Sequence, residues 1–398
     1  MSSTQRVRQT ITSALRRVRV AAHRVGLSGD GVSGLRRRVE GIISSFEPRL
    51  EQHDIPGAAV VVRLSDGSRI ERYLGWADRA AKHPMSAGTL FQAMSLTKPL
   101  TSLVMVRLAE DGLLDLDVPV ARYLRSWTLP SSRCEPGCDF EGVTLRRVLS
   151  HTAGFNQHGF GWAPAGASHP AGAVQPSAAA LLEGAAGEAL RLVTPPGEVQ
   201  RYSGGGYALA QVVAEDVCGE RFPDIVRRVV FAPMGLALSS MEFMPGVASR
   251  LATRYEHVES QAPIGSSGAL LRAAAMPRAV VASCGASGWY AAPTEVCTFM
   301  ETFLASDSSR PSAWQAEMTR PQGPRDRDRS MGLGFHLWLR RSDTIFAHRG
   351  YFGGWWSEAA GMLRRRSAVV VMSNGDSREL AVKALSTALR QCILDHAL

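Results

Sequence analysis

The residues with the clearest potential for chemistry are a serine and a lysine three positions apart, Ser95 and Lys98. They open an apolar helical pattern that runs to about Asp111. Because positions i and i+3 share one face of a helix, the hydroxyl and the amine can point into one pocket. A serine hydroxyl is a weak nucleophile unless a neighbouring group takes its proton or stabilises its alkoxide, and a lysine can do either. The pair therefore predicts an amine-assisted serine nucleophile.

The scarcity of lysine strengthens this interpretation. The chain has 45 lysines and arginines, and only three of them are lysines, at positions 82, 98 and 383. Arginine keeps its proton in a protein, so a site that needs a titratable amine is one place where it cannot substitute for lysine. The same serine–lysine spacing also occurs by chance on solvated helices. The choice between the two interpretations therefore depends on further motifs.

The formal charge of +9 would suggest nucleic-acid binding if it were spread over the chain. Residues 1–38 hold nine arginines and one acidic residue, a net charge of +8, which leaves only +1 for the rest. This distribution does not favour a basic groove for a polyanion, and the sequence contains no nucleic-acid motif. We expect no nucleic-acid partner.

The six cysteines are scattered, and none of their spacings matches a zinc site. We therefore expect free thiols, no metal and no cofactor. No stretch is long enough for a transmembrane helix, and arginines interrupt the N-terminal region where a secretory signal needs an apolar core. The sequence predicts a cytoplasmic protein.

Strand and helix patterns divide the chain into three regions. Residues 1–35 predict a basic amphipathic extension with a linker at 31–34, and such helices pack against the body or bind anionic membranes. Residues 36–125 and 276–398 contain hairpin-linked strands and helices, typical of an antiparallel sheet in an α+β domain. Residues 126–275 predict an inserted, mostly helical domain.

Long loops separate the helices of this middle region. One helix is predicted at 178–192, and the loop before it, 156–175, is rich in glycine, proline and alanine. A loop of that length in a compact domain usually has a function of its own, such as lining or covering a site. We interpret it as a substrate-facing lid.

Two later stretches complete a possible acyl-transfer site. Tyr202 stands directly before a glycine-rich turn, and His348, Arg349, Gly350 and Tyr351 follow one another near the end of a predicted strand. Taken alone, the tyrosine and the histidine would be interpreted as ordinary core residues. The order after Ser95 favours a role in the site for Tyr202, whereas for His348 both interpretations stay open.

Six motifs occur in the order found in one superfamily. Together they resemble the serine β-lactamases and penicillin-binding proteins, and specifically the class C-like esterase and transesterase branch. The motifs are SLTK at 95–98, LSHTAGF at 149–155, YSGGGYALA at 202–210, FAPMGL at 231–236, ASGWYA at 286–291 and HRG at 348–350.

The resemblance implies a β-lactamase-like α+β fold and assigns roles by position. Ser95 corresponds to the acylated nucleophile, Lys98 keeps it activated, and Tyr202 is the base for Ser95 and later for the acyl acceptor. The backbone N–H groups of Ser95 and Tyr351 correspond to the oxyanion hole, the pair of donors that stabilises the charged intermediate.

Four further residues are predicted to contact substrate or to support the site. His348 and Gly350 correspond to the strand that lines the pocket, and Trp355 suits an apolar wall for the acyl or alcohol group. His151, in the LSHTAGF motif, is predicted to brace a loop near the site rather than to perform chemistry.

Two departures from the family pattern affect the predicted substrate. Gly204 replaces the asparagine that would hold an acylamido group, and His348 and Arg349 replace a Lys-Thr pair. Arg349 is predicted to point away from the pocket, because alternate strand residues face opposite sides. These changes favour a serine acyl hydrolase or acyltransferase that acts on small esters or thioesters, with water, an alcohol or an amine as acceptor. The alternatives are a β-lactamase or D-peptidase, and a non-catalytic ligand-binding protein.

Overall fold

The computed structural model describes residues 31–159, 176–259, 271–276, 283–304, 312–324, 326–375 and 380–396. The strands are β1 Gly57–Arg63, β2 Arg69–Asp78, β3 His83–Pro84, β4 Phe91–Gln92, β5 Tyr255–Glu259, β6 Leu271–Ala275, β7 Tyr290–Ala291, β8 Arg329–Met331, β9 His336–Leu339, β10 Thr344–Phe352, β11 Trp355–Met362 and β12 Ser367–Ser373.

Most helices lie between the two groups of strands. They are α1 Gly31–Gln52, α2 Thr97–Glu110, α3 Leu145–Leu149, α4 Ala178–Leu182, α5 Gly204–Cys218, α6 Phe222–Val226, α7 Ala232–Met234, α8 Pro245–Ala248, α9 Cys284–Ser287, α10 Pro293–Glu301, α11 Ala313–Thr319 and α12 Leu380–Asp395. A 3₁₀ turn, Met94–Leu96, leads directly into α2.

Eight strands form one antiparallel sheet in the order β3-β2-β1-β12-β11-β10-β9-β8. The first three strands of the chain and the last five therefore meet at the β1–β12 pair, as the hairpin-linked strands at both ends of the sequence predicted. This arrangement, with helices on the sheet, confirms the predicted α+β fold. The predicted domain boundaries remain a prediction.

The sheet is covered on both faces. Val60 and Val371 contribute to the core under α1 and α12, whereas Val61 and Val370 contribute to the larger core on the side of α2 and α5. Because successive side chains of a strand point to opposite faces, both central strands must be apolar throughout. Burial on both faces explains the continuous apolar runs of β1 and β12.

The predicted linker at 31–34 is wrong, because α1 begins at Gly31 and continues to Gln52. An apolar stripe at helical spacing, which includes Leu35, Val39 and Ile43, is buried against the sheet. The packing of this stripe offsets the low helix propensity of the glycines. The rest of the predicted N-terminal extension, residues 1–30, lies outside the described residues.

The region between the two strand groups also differs from its prediction. The helix expected at 178–192 ends at Leu182, and Gly184 and Gly187 adopt positive φ angles of 98° and 137° that a right-handed helix does not accommodate. Strands β5 and β6 pair inside a region predicted to be mostly helical. Most of the predicted lid, residues 160–175, lies outside the described residues.

Within the described part of the chain, no helix combines the length and the apolar character needed to cross a membrane.

Candidate active site

Ser95 lies on the 3₁₀ turn before α2, one residue beyond a strained position. Met94 has a φ angle of 53°, which is uncommon for a residue with a side chain. Backbone and side-chain hydrogen bonds fix this turn: Ala93 N donates to Trp289 O at 2.8 Å, and Thr97 Oγ1 donates to Met94 O at 2.7 Å. Because neighbouring structure holds the strained residue in place, the serine is presented in one defined position.

Lys98 is the partner of Ser95. Its Nζ atom donates to Ser95 Oγ at 3.0 Å and to the carbonyl oxygen of Ala286 at 3.0 Å. The side chain is 2% exposed, and no carboxylate forms an ion pair with it among the described residues. An amine that contacts only neutral acceptors in a buried site can hold the serine proton or stabilise the alkoxide. The spacing of the two residues thus produces the contact predicted from the sequence.

Two tyrosine rings enclose the lysine. Nζ of Lys98 lies 5.0 Å from the ring centre of Tyr202 and 5.6 Å from that of Tyr207. Tyr207 is buried, its hydroxyl donates to Leu149 O at 2.7 Å, and burial raises its pKa above the ordinary value. It therefore remains a neutral phenol. The sequence interpretation missed Tyr207, although its place in the first turn of α5, five residues after Tyr202 in the YSGGGY stretch, was a usable signal.

Tyr202 is positioned by the start of α5 and by His151. Ser203 caps α5, since its Oγ accepts from Gly206 N at 3.0 Å. The carbonyl oxygen of His151 accepts from Arg201 N at 2.7 Å, and its Nδ1 accepts from Ser203 N at 3.1 Å. His151 thus holds the backbone on both sides of Tyr202, which is a bracing contact of the kind expected from its motif.

Histidine rings surround Tyr202. The distances between their ring centres and that of Tyr202 are 4.3 Å for His151, 5.0 Å for His158, 6.5 Å for His336 and 6.1 Å for His348. Burial lowers the pKa of His151 and of His348 well below the ordinary value, and burial with the nearby Arg349 lowers that of His336 to about 4. These three rings are therefore uncharged at neutral pH.

The sequence interpretation did not include His158 or His336. They come from a loop and from β9, and no spacing in the sequence relates either of them to Tyr202. No group of three or more His, Cys, Asp or Glu side chains in the described part of the chain could hold a metal ion.

Strand β10 packs directly against the 3₁₀ turn Met94–Leu96, which carries Ser95 and is called the serine turn below. A Cβ atom at Gly350 would lie 2.1 Å from Ala93 O and 2.5 Å from Ser357 Oγ, so only glycine allows this approach. Tyr351, which follows Gly350 and is 40% exposed, is thereby brought near Ser95. The role of its N–H group in an oxyanion hole remains a prediction.

Arg349 points away from the site, as predicted. Its guanidinium pairs with Glu358 at 3.1 Å on the opposite face of the sheet, where Arg390 of α12 pairs with the same carboxylate at 3.1 Å. His348 and Gly350, the residues on either side, therefore face the serine.

The two adjacent tryptophans of β11 do not form a pocket wall together. Trp355 is 3% exposed and packs edge-on against Phe91, with 6.0 Å between ring centres, whereas Trp356 is buried in the core under α1 and α12. Trp355 thus fills core space, and the role predicted for it as a wall of the substrate pocket remains a prediction.

The position that carries asparagine in the family pattern is closed by backbone. A Cβ atom at Gly204 would lie 3.0 Å from His158 O and 3.2 Å from Gly159 Cα, and Gly204 N donates to His158 O at 2.9 Å. An amide side chain does not fit there unless this loop moves.

The structure brings together most of the predicted residues, Ser95, Lys98, Tyr202, His151, His348 and Gly350.

Known proteins resemble this chain in sequence. The family model described as beta-lactamase matches residues 42–391. Penicillin-binding protein 4* of Bacillus subtilis (strain 168) is 30% identical over 192 residues, 48% of this chain and 39% of that protein. Esterase EstB of Burkholderia gladioli is 36% identical over 109 residues, 27% of each chain. The matched part is thus less than half the length of either curated relative.

Among solved structures, EstCE1, described as a hydrolase with promiscuous acyltransferase activity, has a TM-score of 0.64 at 21% identity. The match covers 90% of this chain and 98% of that chain, which shows a shared fold. The family model accounts for most of the chain, and its span includes the serine turn, the tyrosine before α5 and strand β10. The chain therefore belongs to the beta-lactamase family.

Proposed function

We propose that the protein is a serine acyl hydrolase or acyltransferase that acts on small esters or thioesters through an acyl group bound to Ser95. The observation that carries the proposal is the 3.0 Å contact between Lys98 Nζ and Ser95 Oγ, with the ring of Tyr202 5.0 Å from the same nitrogen. A half-buried serine hydroxyl in contact with a buried amine, with a half-buried phenol ring beside that amine, supplies the groups that acyl transfer to serine requires.

The reaction has two balanced steps. In the first step, Ser95 Oγ attacks the carbonyl carbon and its proton passes to the Lys98–Tyr202 pair. The bond to the leaving alcohol or thiol then breaks, and the leaving group takes that proton. In the second step, water, an alcohol or an amine attacks the acyl group and loses its proton to the same pair. The bond to Ser95 breaks, and Ser95 regains the proton.

The N–H groups of Ser95 and Tyr351 hold the oxygen that becomes negative in both steps. Backbone donors fixed before the reaction are effective because they need no reorganisation as the charge develops. The close approach of Gly350 to Ala93 O supports this arrangement, since it brings the strand that carries Tyr351 against the serine turn.

Three features favour esters over β-lactams as substrates. Backbone closes the position of the acylamido-binding asparagine, the ring at the position of the family's lysine is an uncharged His348, and Arg349 pairs with Glu358 on the far face. An ester needs only the nucleophile, the proton carrier and the oxyanion donors. EstB is named an esterase and EstCE1 a hydrolase with acyltransferase activity, which supports the same direction.

A second candidate is β-lactamase or D-peptidase activity, which the relative named penicillin-binding protein 4* favours. A third, a non-catalytic ligand-binding protein, is disfavoured by the intact contact between Ser95 and Lys98.

The test combines covalent labelling with substrate comparison. The protein is incubated with a fluorophosphonate, its intact mass is measured and the labelled peptide is mapped, with Ser95→Ala as the control. We expect one adduct on Ser95 and faster turnover of p-nitrophenyl butyrate than of nitrocefin. A label on another residue contradicts the nucleophile assignment, faster opening of nitrocefin supports the second candidate, and binding without any adduct supports the third.

A further inference from the structure

The hydrogen bond of His348 fixes the position of its ring proton. Nδ1 lies 2.9 Å from the carbonyl oxygen of Arg349. A carbonyl oxygen can only accept, so Nδ1 carries the hydrogen in this contact. In the uncharged ring, Nε2 then has no hydrogen and presents a lone pair. His348 is therefore an acceptor at Nε2.

This acceptor has no partner in the described part of the chain. Nε2 of His348 is buried and lacks a hydrogen bond to any described residue, and the whole residue is 2% exposed. A buried acceptor without a partner is costly, so a ligand that donates to it gains a hydrogen bond that the described residues do not supply. The ring centre is 6.1 Å from that of Tyr202, which places the acceptor in the site.

The groups around His348 do not supply a donor to Nε2. His336, with its ring centre 5.3 Å away, forms no hydrogen bond with this nitrogen, and the amine of Lys98 donates to Ser95 and Ala286. The guanidinium of Arg349 pairs with Glu358 on the other face. Within the described residues, the hydrogen is therefore left for a bound molecule to supply. A hydroxyl or an amide N–H can do so, whereas a carboxylate brings only further lone pairs.

The proposed function indicates which part of the substrate meets this atom. Tyr202 belongs to the pair that returns a proton to the leaving alcohol, so the leaving oxygen lies beside the Tyr202 ring. His348 contacts the same region of the site. A substituent on that alcohol then lies on the same side of the site as His348.

We propose that His348 selects esters whose leaving alcohol carries an uncharged hydrogen-bond donor near the ester, and that it rejects leaving groups that carry a carboxylate. This inference rests on the proposed function and adds a substrate class to it. Burial keeps the pKa of the ring low, which supports an uncharged acceptor under ordinary assay conditions.

Three butyrate esters that differ in one group test this specificity: propyl butyrate, 2-hydroxyethyl butyrate and carboxymethyl butyrate. The release of butyrate is measured to obtain kcat/KM for each ester. Each kcat/KM is then divided by the rate of alkaline hydrolysis of the same ester, which removes differences in intrinsic reactivity. We expect wild-type protein to favour the hydroxyethyl ester over the propyl ester by about three- to tenfold, the effect of one neutral hydrogen bond. We expect the carboxymethyl ester to be the slowest.

Variants of His348 separate the acceptor from the shape of the side chain. His348→Gln keeps an acceptor oxygen, so it preserves the order of the three esters. His348→Leu removes the acceptor, and the hydroxyethyl-to-propyl ratio falls to about one. His348→Lys places a cation there, and the carboxymethyl ester gains about tenfold or more relative to the propyl ester. Ratios within one variant cancel any general effect on Ser95.

The outcomes distinguish this inference from the proposed function. Equal corrected rates for the three esters in wild-type protein overturn the specificity, even if no variant folds. The same conclusion follows if His348→Leu retains the wild-type ratio. Absence of a fluorophosphonate adduct on Ser95 instead contradicts the proposed function.

Discussion

The polar side chains on the two faces of strand β10 differ in whether they are paired with other residues of the protein. On the face toward α1 and α12, Arg349, Glu358 and Arg390 form a paired cluster in which every charge has a partner. On the face toward Ser95, His348 keeps a buried nitrogen without a partner in the described residues. The two neighbouring residues of β10 thus differ, since the guanidinium of Arg349 is paired within the protein and Nε2 of His348 is not. The difference indicates that the paired face stabilises the fold, whereas the incomplete face serves a ligand.

Lys98→Arg should have the largest effect on catalysis at the face toward Ser95. Arginine preserves the positive charge but cannot give up its proton, so we expect the rate of Ser95 acylation to fall by at least about 10²-fold. Burst kinetics with p-nitrophenyl butyrate measure this rate. Lys82→Arg, at an exposed position, is the matched control and should leave it unchanged. Near wild-type acylation in Lys98→Arg would show that only charge is needed.

Gly350→Ala should damage both the site and the fold. The added methyl group would lie 2.1 Å from Ala93 O, so either the strand or the serine turn must shift. We expect kcat/KM to fall by about tenfold or more, in line with displaced catalytic groups, and the free energy of unfolding to fall by about 1–3 kcal/mol. Urea denaturation and ester assays measure the two effects.

The control for this substitution is Gly41→Ala. Gly41 lies in α1 with no atom within 4 Å of an added Cβ, so alanine should stabilise the helix by up to about 1 kcal/mol. Loss of stability in Gly41→Ala would mean that methyl groups are harmful for reasons other than the close contact at Gly350.

Two substitutions at Tyr207 test whether the aromatic ring beside Lys98 contributes to acylation. Tyr207→Phe keeps the ring 5.6 Å from Nζ but loses the hydrogen bond to Leu149 O, and should mainly lower stability, by about 1 kcal/mol. Tyr207→Leu also removes the ring, and we expect a further loss of about threefold to tenfold in acylation rate. Equal acylation rates in the two variants would exclude a role for the ring.

Arg349→Gln should have the smallest effect on catalysis. Its guanidinium lies on the paired face, so we expect the ratios of ester rates to change by less than about twofold. Stability should fall by about 1–2 kcal/mol, because Arg349 is partly exposed and Glu358 retains its pair with Arg390. A marked change in ester preference would break the distinction between the two faces.

Much of this site followed from local pattern. Ser95 and Lys98 were predicted because helical spacing converts three residues of separation into contact, and Arg349 was predicted to point away because strand residues alternate. The antiparallel sheet followed from hairpin-linked strands at the two ends of the chain. In each case, the pattern on which the prediction rests spans only neighbouring residues of the sequence.

Other features depend on contacts between distant segments. His158 and His336 reach Tyr202 only because a loop and β9 converge there, and no periodicity encodes that meeting. Tertiary packing also overrode local propensity in α1, where glycine near its start suggested a linker. Strand alternation also sends Trp355, which was predicted to line the pocket, and its neighbour Trp356 to opposite cores.

The hydroxyl of Ser357 donates to Ala93 O at 2.8 Å and thus ties β11 to the residue that begins the serine turn. The nucleophile and the strand that carries Tyr351 are consequently fastened to the same sheet and should fluctuate as one body. We therefore expect movement that admits a substrate at the 158–159 backbone, which adjoins Gly204. Hydrogen exchange should therefore be slow at Ala93 and Gly350 and faster at Gly159, which would make the serine side the more rigid wall of the site.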